Sequence, residues 1–228
     1  METRSIAIDG PSGAGKSTLA KMAAKELGII YVDTGALYRA IALYTIRAGA
    51  DTTDEQEISK LLSEITLEMK YDATGTQRVL LCGDDVTDEI RTPEVSIGAS
   101  NVSALPPVRD YLLQMQRDMA ALHDVIMDGR DIGTAVLPEA RVKIFLSAAP
   151  EVRARRRYDE LIAAGRDVTF EDVLRDINLR DHNDSVREFR PLRAAEGSVM
   201  LDTTDIGLEE SFRCVLRIIE EKLHDARK

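Results

Sequence analysis

The sequence predicts an α/β fold in which a parallel five-stranded sheet is flanked by helices and carries a small inserted antiparallel β subdomain. Three observations lead there. Short apolar runs alternate along the chain with stretches of helical periodicity, which is the pattern of a parallel sheet covered on both faces. A glycine-rich segment, Gly10–Gly15, separates the first strand-like run from the first helix-like one. Between Ile65 and Val86 the apolar period switches to two, as antiparallel strands require.

In chain order, Ser5–Asp9 reads as a short buried strand and Lys16–Leu27 as a helix. Gly28–Val32 is the second strand and Gly35–Ala48 the second helix. Thr53 with Gln56 three residues on resembles a capping box, opening a third helix to about Leu62. Ile65, Leu67 and Met69 then alternate with Thr66, Glu68 and Lys70. Thr74-Gly75 forms a turn, Gln77–Cys82 the return strand, and Gly83-Asp84-Asp85 a further turn. Helices resume at Glu94–Ala104 and Pro107–Leu122. Val125–Asp128, Val142–Leu146 and Val199–Asp202 complete the set of parallel strands. The remaining helices are Pro150–Ala164, one capped by Thr169 with Asp172 three on, and one from Leu208 onward. With no repeats or low-complexity linkers, residues 1–228 read as a single domain with an insertion at about 62–92.

The chain has 228 residues, 44% hydrophobic and 31% charged, a balance that excludes disordered, fibrous and membrane-spanning classes. No apolar run approaches the ~18 residues of a membrane span. Met1-Glu2-Thr3-Arg4 leads directly into a strand-like run, without signal-peptide character. Cys82 and Cys214 are far apart and lack metal-ligand spacing. A cytoplasmic location with free thiols is expected. The net charge of −10 argues against nucleic acid as a partner. Of 30 cations, 22 are Arg, and twelve of these fall between Arg130 and Arg193. A guanidinium fork matches phosphate oxygens and stays charged, so the region suits phosphate binding. Solvated helix faces paired with Asp and Glu explain the composition equally well.

Gly10-Pro11-Ser12-Gly13-Ala14-Gly15-Lys16-Ser17 matches G-x-x-x-x-G-K-[ST] in full, after a strand and at the start of a helix. There the backbone N–H groups cradle a polyphosphate and the helix N-terminus adds partial positive charge. Lys16 reaches the outer phosphates, the Ser17 hydroxyl is a ligand for Mg²⁺, and the ATP contacts run on to Thr18. The spacing is not that of a dinucleotide loop, and no Asn-Lys-x-Asp guanine element occurs. A small protein of this type with an Arg-rich third quarter fits a kinase for a small phosphorylatable molecule, since cations must bring two phosphates together. A nucleotide-binding regulator that turns nothing over is the alternative from another class.

Arg39, one turn into the helix after Asp33-Thr34-Gly35, reads as an acceptor-phosphate clamp or as a surface Arg on a capped helix. Asp128-Gly129-Arg130-Asp131 closes the third core strand, where ligands of open parallel sheets bind. Asp128 is placed to order metal-bound water and Arg130 to bind phosphate. Arg153, Arg155, Arg156 and Arg157 share a helix that suits an Arg-rich lid at about 151–166, or a solvated face. Arg180, Asp184 and Arg187 lie at i, i+4 and i+7 on one face, either a salt-bridge ladder or a binding face.

These segments, with Glu89-Ile90-Arg91-Thr92 and Val142–Leu146, resemble the bacterial cytidylate kinases, P-loop nucleoside monophosphate kinases, from about Ile6 to the C-terminal helix. Asp128–Gly133 and Arg180–Arg187 are the more discriminating motifs, and the insertion resembles that family's enlarged monophosphate-binding region. The resemblance implies transfer of the ATP γ-phosphoryl group to CMP or dCMP with Mg²⁺, in pyrimidine nucleotide metabolism. It implies Thr34 near the acceptor nucleotide, and Arg39 and Arg130 on the monophosphate. It places Ser100, Arg109 and Asp131 on the cytosine edge, Asp184 and Arg187 on the sugar, and Arg156, Arg157 and Arg180 in the lid. With Lys16 and Arg130, those three arginines make up the expected catalytic set. A monomer is also expected from the resemblance.

Overall fold

A computed structural model describes residues 3–73 and 75–225. Its strands are β1 (Ser5–Asp9), β2 (Ile30–Asp33), β3 (Leu67–Tyr71), β4 (Gln77–Leu81), β5 (Asp84–Asp85), β6 (Val125–Gly129), β7 (Val142–Ser147) and β8 (Val199–Asp202). Its helices are α1 (Lys16–Leu27), α2 (Thr34–Arg47), α3 (Glu55–Leu61), α4 (Pro93–Val102), α5 (Pro106–Leu122), α6 (Pro150–Ala163), α7 (Phe170–Val186) and α8 (Leu208–Asp225). The expected five-stranded sheet has the order β2-β6-β1-β7-β8, and β3-β4-β5 form a separate three-stranded sheet. The chain forms two compact units, one made of residues up to Ile29 with those from Asp124 onward, the other of Ile30–His123.

In the first unit, β1 pairs in parallel with β6 on one side and β7 on the other, and β7 pairs in parallel with β8. The central strands are apolar on both faces because helices cover both: Ile6, Ala7, Ile8, Ile126 and Met127 are wholly buried. At the sheet edge, β8 instead alternates between partly buried and exposed. Ala20, Ala23 and Ala24 on the inner face of α1 are small enough to let the helix lie close to the strands.

The second unit has its own core, in which Leu37 and Ile41 of α2 meet Ile58, Leu81, Ile90, Val102 and Leu112. Three sequence expectations change here and at the end of α1. Gly28 does not begin β2; it is the left-handed C-cap of α1, and the strand starts at Ile30. Thr53 is not the cap of α3. Asp51 takes both its N–H and its hydroxyl, each at 2.8 Å, and Asp54 caps the helix, accepting from the N–H groups of Gln56 and Glu57. Asp84–Asp85, expected in a turn, pair with Leu80–Leu81 as a short third strand. Of the expected Thr74-Gly75 turn, Thr74 lies outside the described residues.

Candidate phosphate-binding site

Parallel pairing of β1 with β7 fixes where the glycine-rich loop begins. Gly10, with φ of +149°, sits so close to β7 that a Cβ on it would lie 1.9 Å from the Leu146 carbonyl oxygen. A Cβ on Gly13 would lie 3.2 Å from the Arg153 Cβ. Gly15 is the left-handed N-cap of α1 and supplies no side-chain acceptor, so the first-turn N–H groups keep their capacity for an anion. The Lys16 ammonium is buried and donates to the Pro11 carbonyl at 2.7 Å. Burial, and then the nearby Arg130 charge, pull its pKa down to about 7 against the opposing pull of Asp128, Asp9 and Asp184. The Ser17 hydroxyl donates to Asp128 at 2.8 Å, joining the loop to the end of β6, while Thr18 beside it is exposed.

Past β6 the chain delivers Arg130 and the buried Asp131, then enters a short π-helical turn over Ile132–Val136. Asp9, the last residue of β1, holds this segment: one carboxylate oxygen accepts from Ile132 N–H at 2.8 Å and the other from Gly133 N–H at 2.7 Å. Arg130 Nε donates to Asp184 at 2.7 Å, and Arg187 Nη1 lies 3.5 Å from the other Asp184 oxygen. Burial raises the Asp184 pKa, but the Arg130 charge and hydrogen bond with the Arg187 charge outweigh it and hold the carboxyl below its ordinary value.

Sequence reasoning did not single out Asp9; the only signal was its position immediately before Gly10. Burial raises its pKa from 3.8 to about 6, although both N–H donors favour the ionised form. Protonation converts one of its two acceptors into a donor facing an N–H. The rate is therefore expected to fall as pH drops through about 6, as the acceptor is lost. Asp9→Asn, which fixes that state, is expected to be about tenfold slower at neutral pH and flat through this window. A pH–rate profile of the two proteins measures both effects, and an Asn variant with the parent profile would refute them.

The four arginines of α6 diverge. Arg153, expected only as one of a cluster, is wholly committed: it donates to Ala148 O and Ser12 O at 2.7 and 3.0 Å and to both Asp181 oxygens at 2.5 and 3.0 Å. It thereby ties α6 and α7 to the glycine-rich loop. Arg155 lies 4.5 Å above the Phe170 ring and 5.4 Å above that of Tyr158. Arg156 donates to the Thr203 carbonyl and hydroxyl beyond β8. Arg157 is exposed and pairs with Glu160 at 3.1 Å. Arg180 is partly buried near Arg130, Arg157, Asp176 and Asp184 and makes no hydrogen bond or ion pair among the described residues. Burial first, then the adjacent cations, lower its pKa, as expected of a guanidinium short of negative charge.

The other expected residues, Thr34, Arg39, Ser100 and Arg109, belong to the second unit. Asp33 caps α2 by accepting from Ala36 N–H at 3.0 Å, and its other oxygen receives Arg39 Nη2 at 2.8 Å. Buried Arg39 Nε has no hydrogen-bond partner among the described residues. Thr34 is buried in the first turn of α2. Arg109 is also buried, donating from Nε to Ser103 O at 2.5 Å with its guanidinium 5.6 Å over the Tyr38 ring. Ser103 in turn donates its hydroxyl to the Ser100 carbonyl at 2.9 Å.

The cytidylate kinase family model matches residues 6–221 of this chain. A cytidylate kinase from Caldicellulosiruptor bescii is 47% identical over 218 residues, covering 96% of this chain and 96% of the relative. One from Carboxydothermus hydrogenoformans is 48% identical over 217 residues, covering 95% and 97%. A crystal structure of an uncharacterized protein from Eubacterium ventriosum shares the fold, with a TM-score of 0.50 at 12% identity over 96% of this chain and 99% of that one. The chain belongs to the cytidylate kinase family.

Proposed function

We propose that this protein transfers the γ-phosphoryl group of ATP to CMP or dCMP, forming CDP or dCDP and ADP, as a step of pyrimidine nucleotide metabolism. The observation that carries the reading is the assembly around Lys16, a polyphosphate loop with Arg130, Asp128 and Asp184 close enough to shift its titration. A loop for one phosphate chain next to an arginine at the end of the neighbouring strand suits two phosphates that must meet.

Residues Gly10–Thr18 hold the ATP phosphates through main-chain N–H groups and Lys16. Arg39 and Arg130 take the acceptor phosphate, with Thr34 nearby. Ser100, Arg109 and Asp131 read the cytosine edge, and Asp184 and Arg187 the sugar. An oxygen of the CMP phosphate attacks the γ-phosphorus in line, a new O–P bond forms, and the bond to the β–γ bridging oxygen breaks as ADP leaves. No protein nucleophile is required, so the contribution of the protein is alignment and charge neutralisation. Arg156, Arg157 and Arg180 supply further positive charge and cover the reacting phosphates, with residues 151–166 acting as a lid and 62–92 as a monophosphate-binding insert. Water exclusion on closure suppresses hydrolysis.

The Ser17 hydroxyl and Asp128 carboxylate form a hard-oxygen pair that fits Mg²⁺. Among the described residues no group of three or more His, Cys, Asp or Glu side chains could hold a metal ion. When bound, Mg²⁺ neutralises charge on the β- and γ-phosphates. A monomer at work in the cytoplasm completes the reading. No helix among the described residues is long and apolar enough to cross a membrane.

The test is ADP production from ATP and Mg²⁺ with CMP, dCMP, UMP, AMP and GMP supplied separately. Turnover with CMP and dCMP and little with AMP or GMP is expected; ATP binding without turnover on any of them refutes the reading. Asp131→Ala is expected to lower the CMP-over-UMP preference about tenfold or more, because a buried acceptor for the cytosine amino group is lost. An unchanged ratio of kcat/KM values removes Asp131 from base readout.

A further inference from the structure

The end of the β3–β4 hairpin makes three hydrogen bonds to the main chain of β2. Tyr71 and Gln77 are directly opposite each other and form the last pair of that hairpin. The Tyr71 hydroxyl donates to Tyr31 O at 3.0 Å. The Gln77 amide oxygen accepts from Asp33 N–H at 2.8 Å, and its nitrogen donates to Asp33 O at 3.4 Å. Residues 31 and 33 of an extended strand direct their N–H and C=O groups to the same edge. β2 is the first strand in the order of its sheet, so among the described residues no further strand pairs along that edge. The Gln77 amide reproduces the donor–acceptor pair of a peptide unit, so the two side chains stand in for a missing strand.

The clamp ends on the residue that organises the expected acceptor segment. Asp33 caps α2 with one carboxylate oxygen and holds Arg39 with the other, and Thr34 follows it directly. The hairpin end is itself braced. Arg78, next to Gln77, donates from Nε and Nη2 to Asp72, next to Tyr71, each at 3.2 Å. Asp72 N–H donates to Thr76 O at 3.0 Å, closing the turn.

We propose that Tyr71 and Gln77 are positioning residues for the acceptor nucleotide, fixing through the main chain of Tyr31 and Asp33 the placement of Thr34 and Arg39. The proposal rests on the reading of Arg39 as an acceptor-phosphate ligand. It gives the inserted sheet a specific task, which is to set the acceptor-side arginine without touching the substrate. Neither side chain needs to contact CMP, so their loss acts on the affinity for CMP and leaves that for ATP alone.

The experiment compares Tyr71→Phe, Gln77→Met and the double variant with Arg39→Ala. Each is assayed by CMP binding without ATP, by KM for CMP and for ATP, and by thermal melting. The two clamp substitutions preserve volume and remove only polar groups. The double variant is expected to weaken CMP binding and raise KM for CMP about tenfold, with KM for ATP within about twofold. Tyr71→Phe, which deletes one oxygen, shows a smaller shift of the same kind and serves if the double variant folds poorly. If Arg39→Ala weakens CMP while the clamp variants leave it unchanged, or if they lower the melting temperature and affect both substrates equally, the positioning role is overturned and the acceptor reading stands. If Arg39→Ala also leaves CMP binding intact, the acceptor reading itself fails and the positioning role with it.

Discussion

Arg130→Ala is expected to lower kcat about 10²-fold at saturating ATP and CMP, the effect of losing a cation that follows charge on the transferring group. The guanidinium is held at its position by Asp184 at 2.7 Å, so it is placed before substrate arrives and requires little reorganisation in the reaction. Its removal also acts on its neighbours. Asp184 loses the charge that offsets its burial, so its pKa rises. Lys16 loses a repelling cation, so its pKa rises as well. Arg130→Lys keeps the charge but not the planar fork, and is expected to recover only part of the rate. Steady-state kinetics at saturating concentrations of both substrates decide the matter. Near-normal turnover of the alanine variant would remove Arg130 from the transition state, whatever happened to KM.

Gly10→Ala is expected to be more damaging than its single methyl group suggests. Two costs add: a backbone conformation that side-chain-bearing residues avoid, and overlap with the Leu146 carbonyl of β7, a strand held by β1 on one side and β8 on the other. Together these amount to about 3–5 kcal/mol. That corresponds to a fall in melting temperature of roughly 10 °C for a chain of this size. Because any relief moves the loop away from β7, ATP binding should be lost in parallel. Melting curves with and without ATP test this. A variant that melts within about 2 °C of the parent and is still stabilised by ATP would show that the loop has room the structure denies it.

The parallel sheet and the inserted hairpin were legible in the sequence because each depends on a local pattern. Apolar runs without alternation marked β1 and β6, and the switch to period two marked β3 and β4. Boundaries were less legible, for local reasons as well. Gly28 suits a strand edge and a helix C-cap alike. Asp51 takes the Thr53 hydroxyl, and Asp54 takes the Gln56 N–H that a Thr53 cap would need.

The phosphate loop itself was determined by sequence, since its chemistry resides in glycine backbone freedom, main-chain N–H groups and two side chains at fixed offsets. The partners of the charged residues were not. With 40 acidic and 30 basic side chains, many pairings are compatible with the same sequence. The packing of strands and helices selected Asp9 for the Ile132–Gly133 amides, Asp128 for Ser17 across 111 residues, and Asp181 with Ser12 for Arg153. Four arginines that read as one cluster were assigned four different tasks, because successive side chains on a helix point about 100° apart and each meets a different neighbour. A hydrogen bond between distant residues is created by packing and has no local signature in the chain. For that reason the sequence named candidates for phosphate binding, and the tertiary structure decided which of these side chains are held, and by what.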